Sequence, residues 1–249
     1  MITPPPPAAG AATDVGHRRE RNEDSMLAEG SVYVVADGMG GHAAGDVASA
    51  LAVAAFRPLT GRDDLTPDDV TAAAHAANRA IMVRGDEQRE QLGMGTTLTG
   101  VVAVVQDGEP AWAVVNVGDS RTYRWADGEL TQVSVDHSEV QELINLGALT
   151  PEEAMRYVRR NVVTRSLGHE SGDEVDLWVL PRRPGEWFVA CSDGLTDELD
   201  DAALAEVLGS ALRSAGDEQA AAEALVAAAL DAGGRDNVTV VVVGTPPAS

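Results

Sequence analysis

Between residues 96 and 134 the chain passes through three or four strand-like segments separated by turns too short to hold a helix. That spacing restricts the fold more than any other feature. Strands joined by tight turns pair antiparallel, whereas parallel pairing needs a crossover of a dozen or more residues. Valine-rich or aromatic segments bounded by turn formers predict strands at 31–36, 96–105, 111–117, 120–125, 174–180, 186–191 and 238–243. Helices are expected on either side of this block. Thr66-Pro67-Asp68-Asp69 supplies a cap, a first-turn proline and acids at the positive end of the helix dipole, ahead of a periodic run from Val70 to Arg84. Thr150 and Glu153 have capping-box spacing, and Gly147 is placed to stop a short helix begun at Ser138. Alanine-rich segments at 44–56 and 217–231 complete the set. The expected class is α+β, with sheets in the middle and helices outside.

Composition narrows the function. Acids outnumber bases 40 to 18, for a net charge of −22, and all 18 bases are arginine. Affinity for phosphate backbones or anionic lipid needs clustered cations, so nucleic acid and membrane are not expected partners. The absence of lysine excludes a Walker A loop, a protein-kinase strand lysine and a Schiff base. Cys191 is the single cysteine, which leaves no disulfide framework. With no signal pattern and no apolar run of membrane-spanning length, a cytoplasmic protein is expected. Residues 1–12, with four consecutive prolines, read as a disordered Pro-rich tail before one domain at 13–245.

Asp-Gly occurs four times, and the repetition acts as an internal control. Asp107-Gly108 and Asp127-Gly128 lie between strand segments and read as hairpin turns. Asp37-Gly38 and Asp193-Gly194 instead end strongly apolar runs and lead toward helices. Asp119 ends another such run, and Asp236 precedes the valine run that starts at Val238. Four aspartates at the ends of buried strands would repel one another if those ends met, and a cation relieves that cost. Hard oxygen ligands select Mg²⁺ or Mn²⁺ over Zn²⁺. Strand-end aspartates are also common with no such role, so spacing alone leaves both readings open. Asn22-Glu23-Asp24, close after Arg19, reads either as a charged surface loop or as acids and arginines placed to hold metal-bound water and an anion.

Together these segments resemble one family. Thr13-Asp14-x-Gly16, Arg19, Asn22-Glu23-Asp24, Val34 to His42, Gly95-Thr96-Thr97, Val117 to Arg121, Asp136-His137-Ser138, Cys191 to Asp197 and Arg235 to Val238 follow the order seen in metal-dependent Ser/Thr protein phosphatases of type 2C, in their bacterial form. The resemblance implies a four-layer α-β-β-α sandwich with two central antiparallel sheets, and a mobile flap at about 136–167. It also implies a phosphoserine/phosphothreonine phosphatase with two Mn²⁺ or Mg²⁺ ions and a third at a weaker site, opposing Ser/Thr kinases or acting on an anti-sigma-type regulator; a monomer is expected.

Carried over position by position, the resemblance makes Asp37 a bridge between metals and gives the Gly38 carbonyl, Asp193 and Asp236 as further ligands. Glu23 and Asp24 act through metal-bound water, and Asp119, with Asp193 and Asp197, forms the weaker site. Arg19 binds phosphate, and a hydroxide shared by the two ions attacks phosphorus. Met39 departs from the animal members, where a histidine is the proposed leaving-group acid. His42 and His137 read as structural, as does Cys191, inside an apolar strand. Flap residues Arg156, Arg159, Arg160 and Arg165 either pair with neighbouring acids or meet the substrate, with Arg159 and Arg160 the candidates for contact. The rival readings are a catalytically silent phosphoprotein-binding regulator of the same fold, which should have lost metal aspartates, and a two-metal nuclease, which the charge opposes.

Overall fold

The computed structural model describes residues 7–40, 44–88, 93–154, 157–159, 161–214 and 217–245. Two sheets, antiparallel throughout, occupy its centre. One is ordered β1 (Ala8–Asp14), β11 (Val238–Thr245), β10 (Glu186–Cys191), β7 (Arg121–Ala126), β8 (Glu129–Gln132). The other runs β2 (Asp24–Glu29), β3 (Val32–Met39), β5 (Leu98–Gln106), β6 (Glu109–Val117), β9 (Asp176–Pro181), with the short β4 (Gly95–Thr96) beside the end of β3.

Alternation along the strands divides the core into three apolar layers. Val32, Val34 and Ala36 pack with α1 (Gly45–Phe56) and α2 (Pro67–Glu87), while Tyr33 and Val35 face the opposite sheet. Val240 and Val242 pack with α6 (Asp201–Ser214) and α7 (Glu218–Ala232), and Val241 and Val243 point inward. The result is helix, sheet, sheet, helix, as the resemblance implies. Trp112 anchors the layer between the sheets, fully buried against Tyr33 and Phe188 with ring centroids 6.0 and 5.6 Å away. Truncating such a side chain costs about 3–5 kcal/mol.

Local signals act where they were expected. Thr66 accepts from the Asp69 N–H and Asp69 accepts from the Thr66 N–H, a closed capping box that starts α2. Thr150 and Glu153 do the same for α4 (Pro151–Ala154), and the short α5 (Asp193–Thr196) follows β10. Ser138 caps α3 (Glu139–Asn145), and Gly147, at φ 70°, follows its end. Asp107 and Asp127 adopt φ of 53° and 54°, each before a glycine of positive φ, the geometry of a two-residue hairpin turn.

Three elements depart from the sequence reading. The tail expected over 1–12 stops early: Ala8 pairs with Gly244 and Ala12 with Val240, so these residues are strand. Smallness makes this possible, since a Cβ on Gly10 would stand 2.2 Å from the backbone of Gln219 in α7. Residues 1–6 lie outside the described set. β2 occupies part of the segment read as a charged loop, and α6 was not anticipated. Among the described residues no helix is long and apolar enough to cross a membrane.

Candidate metal centre

The ends of β3, β6 and β10 and the starts of β2, β7 and β11 meet at one end of the sandwich, and Glu23, Asp24, Asp37, Asp119, Asp193, Asp197 and Asp236 lie there. Asp37 is fixed by its backbone. Its N–H donates to Thr97 Oγ1 at 3.0 Å, and its carbonyl accepts from Thr97 N–H at 2.9 Å and Thr96 Oγ1 at 2.8 Å. Thr97 Oγ1 in turn meets Ser120 Oγ at 2.7 Å, beside Asp119. Gly95-Thr96-Thr97 thus works as a brace that holds one acid-bearing strand end against another. Gly38 follows in a crossing that admits no side chain, for a Cβ would stand 2.1 Å from Gly45 O and 2.5 Å from Glu23 O.

The segment carrying Arg19 is tied down by Asn237. The Glu23 N–H donates to Asn237 Oδ1 at 2.9 Å, and Asn237 Nδ2 donates to Val15 O and Arg21 O, each at 2.9 Å. Asn22 has a local task as well, accepting from the Asp24 N–H at 3.1 Å and donating to Thr13 Oγ1 at 2.8 Å. Arg19 Nη2 then reaches Asp236 Oδ2 at 2.6 Å while more than half exposed. Ser192 links the two sheets: its Oγ donates to Asp24 Oδ2 at 2.8 Å and accepts from Thr239 N–H at 3.0 Å. Sequence reasoning gave Asn237 and Ser192 no role of their own. Their places inside the Arg-Asp-Asn and Ser-Asp-Gly segments were the available signal.

Electrostatics confirm the convergence. Asp37 is held well above the carboxylate range, first by burial and then by repulsion from Asp193, Asp24 and Asp119. Burial pushes Asp193 up to about 8, helped by Asp119, Asp197 and Asp236. Asp24 and Asp119 rise to about 6, again chiefly through burial, with Asp236 and Asp136 respectively as the main repelling charges. Arg19 feels the charges of Asp236, Asp193 and Asp37 together and is stabilised as a cation, mostly by its bond to Asp236. The three principal acids therefore share one neighbourhood.

A divalent cation fits this donor set. Asp24 Oδ1 is buried without a hydrogen-bond partner, an orphaned oxygen of the kind a cation or its water would satisfy. The acids supply hard oxygen only, and positive charge is what their mutual repulsion lacks. Among the described residues no group of three or more His, Cys, Asp or Glu side chains stands close enough together to hold a metal ion as placed. The acids form a shared field rather than a finished ligand shell.

Beside the acids a cleft of about 580 Å³ opens between the flap and the start of α6. Asp119 and Asp193 form its inner wall, and Val140, Ile144 and Leu199 contribute apolar surface. The flap is pinned at both ends, by Leu167 bridged to Thr96 and Val163 bridged to Ser138. His137 Nδ1 accepts from the Gly118 N–H at 3.0 Å and Nε2 faces Asp176 Oδ2 at 3.2 Å. With burial holding its pKa down, it is a neutral brace at the flap base. Arg165 pairs with Glu174 and Asp176, and Arg159 with Glu139 Oε2 at 2.8 Å. His42, Arg156 and Arg160 lie outside the described residues. Asp197 Oδ2 accepts from Asn161 Nδ2 of the flap at 3.2 Å. Cys191 is buried and its thiol pushed up to about 12 by burial, which makes it inert.

This arrangement matches known proteins along most of its length. Residues 16–230 fit the family model described as protein phosphatase 2C. The chain belongs to the protein phosphatase 2C family. Within that family it is 40% identical over 237 residues to the serine/threonine protein phosphatase PstP of Mycobacterium tuberculosis, a match covering 93% of this chain and 44% of PstP. The chain thus spans under half the length of that relative. Against the serine/threonine phosphatase stp of Listeria innocua it is 36% identical, with 93% of each chain covered. The crystal structure of M. tuberculosis PstP/Ppp superposes with a TM-score of 0.89 at 38% identity, covering 97% of this chain and all of that one. The catalytic domain of PstP in complex with two manganese ions gives 0.85 at 37% identity, covering 97% of this chain and 99% of that one. The sandwich and its flap are thus a protein phosphatase 2C fold.

Proposed function

We propose that this protein phosphatase 2C domain hydrolyses phosphoserine and phosphothreonine esters on proteins with the help of divalent cations. The single observation that carries the reading is the placement of Arg19. An exposed guanidinium stands within the field of Asp37, Asp193 and Asp236, held by one of them. A cation-compensated acid cluster with a planar anion-binding fork at its rim is suited to phosphate esters.

Two Mn²⁺ or Mg²⁺ ions, with a third at a weaker site, are the proposed complement, in keeping with the two manganese ions in the PstP catalytic domain. Asp37, the Gly38 carbonyl, Asp193 and Asp236 would hold the principal pair. Glu23 and Asp24 would act through water, and Asp119 with Asp197 would serve the weaker position. When bound, such cations lower the pKa of water and polarise phosphoryl oxygens. The chain's own residues do the rest. Arg19 binds and orients the phosphoryl group, and Asp236, bonded to it, fixes the guanidinium beside the acids. Thr96 and Thr97 keep the Asp37 backbone in place, and Asn237 keeps the Arg19 segment in place.

Met39 offers no proton to a leaving alkoxide, and His137 Nδ1 is occupied by a backbone N–H. Water held at the site, or another group there, supplies the proton in this reading. For Arg159 to contact substrate, an incoming acid would have to displace Glu139. The lone buried cysteine, with no partner for a disulfide, suits a reducing compartment. We take the domain to act as a cytoplasmic monomer on the substrates of Ser/Thr kinases.

Turnover of a phosphothreonine peptide and of an aryl phosphate, with and without Mn²⁺, tests the proposal. Asp37→Asn and Asp193→Asn should each lower the rate by at least about two to three decades. Full activity in chelator, or in either variant, would overturn it.

A further inference from the structure

The cleft beside the acids is larger than a phosphate needs, and its chemistry is one-sided. Its described lining carries seven carboxylates and one arginine, Arg121. That arginine is consumed internally: Nε and Nη2 both bond Asp136, at 3.0 and 2.7 Å, and Nη1 reaches Tyr123 Oη at 3.2 Å. Asp119 and Asp193 belong to the candidate metal centre. The acids remaining at the outer part of the cleft include Glu152 on the flap and Asp200 ahead of α6, both exposed. Asp200 Oδ1 accepts from the Ala203 N–H, which leaves its second oxygen toward solvent. Val140 and Ile144 on one wall and Leu199 on the other supply apolar surface between these charges.

We propose that this cleft receives the residues flanking the phosphorylated side chain of a protein substrate, and that it selects Lys or Arg there over acidic residues. This rests on the phosphatase reading above. A long basic side chain matches both halves of the lining, with its methylene stem along Val140, Ile144 and Leu199 and its cation at the carboxylate rim. An acidic flank would enter a surrounding of like charge with no free arginine among the described lining residues to meet it. The cleft is continuous with Asp119 and Asp193, so a chain seated in it presents its phosphate to the acids. Because the rim acids are exposed, the preference comes from a field of several charges and is sensitive to salt.

The test compares two phosphothreonine peptides that differ only in carrying Arg or Glu on both sides of the phosphothreonine, with an aryl phosphate as reference. The unaltered protein should show a kcat/KM at least tenfold higher for the Arg peptide, with the ratio shrinking toward one at 0.5 M salt. In the double variant Glu152→Gln, Asp200→Asn the ratio should fall at least fivefold, with a far smaller change on aryl phosphate. Asn retains the bond to Ala203, so the start of α6 is kept. Equal rates on the two peptides, or a variant that slows all three substrates alike, overturns the cleft assignment while hydrolysis of aryl phosphate upholds the phosphatase reading. Failure of the unaltered protein to hydrolyse any of the three overturns both.

Discussion

Arg19 Nη2 donates to Asp236 Oδ2 at 2.6 Å, joining two residues 217 positions apart in the chain. The bond holds an exposed side chain at the rim of the acid cluster. An arginine fixed in this way loses less freedom when it binds an anion than one that must first be ordered.

Arg19→Ala should therefore lower kcat/KM on aryl phosphate by about 10–150-fold, as for a charged hydrogen bond of roughly 1.5–3 kcal/mol. Product inhibition by inorganic phosphate should weaken in parallel. Arg19→Lys should recover only part of the loss, because a point charge lacks the planar fork. Steady-state kinetics with a phosphate titration reads all three.

Asp193→Asn should separate activity from stability. The carboxyl is raised to about 8 by burial and by its acidic neighbours. Its neutral isostere removes that conflict, and one unit of pKa corresponds to about 1.4 kcal/mol. In chelator the variant should melt at least about 2–4 °C above the unaltered protein. Its turnover in Mn²⁺ should nonetheless collapse. A lower melting temperature in chelator would contradict the electrostatic account.

The chelated protein should lose stability as pH rises. Asp193, Asp24 and Asp119 have folded pKa values above the ordinary 3.8, at about 8, 6 and 6. The folded state thus holds more protons than the unfolded one across that window, and stability falls with increasing pH wherever it does. The contribution is complete below about pH 4 and is lost through pH 6 for two of the acids and pH 8 for the third. Saturating Mn²⁺ should flatten the profile, since a cation compensates the ionised forms. Melting temperatures from pH 4 to 8, in EDTA and in Mn²⁺, check both slopes.

Asn237→Ala deletes three hydrogen bonds that hold the Val15 to Glu23 segment. At about 1 kcal/mol each the loss is about 2–4 kcal/mol, or roughly 4–16 °C in melting temperature for a domain of this size. Hydrogen exchange should accelerate at the Glu23 amide, while the amides of β5 and β6 keep their protection until global unfolding.

The acid-bearing strand ends were legible because Asp37, Asp119 and Asp193 each follow an apolar run and Asp236 stands just ahead of one. Asp37 and Asp193 stood apart from Asp107 and Asp127 for that reason, and the latter pair do form tight turns. The capping residues Thr66, Ser138 and Thr150 were legible because a cap acts over only three or four residues. β1 was hidden by composition: alanine and glycine carry no strand signal, and only the neighbouring β11 and α7 make them strand. In α6 the buried positions Leu204, Leu208 and Ala211 have helical spacing, but Gly209 interrupts the pattern. Its purpose is tertiary, because a Cβ there would stand 3.0 Å from the Trp125 ring. The assigned roles of the individual acids came from family resemblance, since spacing along a chain does not tell which strand ends meet.

Pairing of β1 with β11 has a consequence for how the domain can be joined to other polypeptides. Asp14 faces Val238 near the acids, so Ala8 and Gly244, paired at the other extreme of the same ladder, lie away from them. Both ends of the domain consequently exit side by side on the back of the molecule. A partner sequence fused there, before or after, would leave the entrance to the cleft beside the acids clear, and a short splice between the two ends should yield a circular permutant with the acid cluster undisturbed.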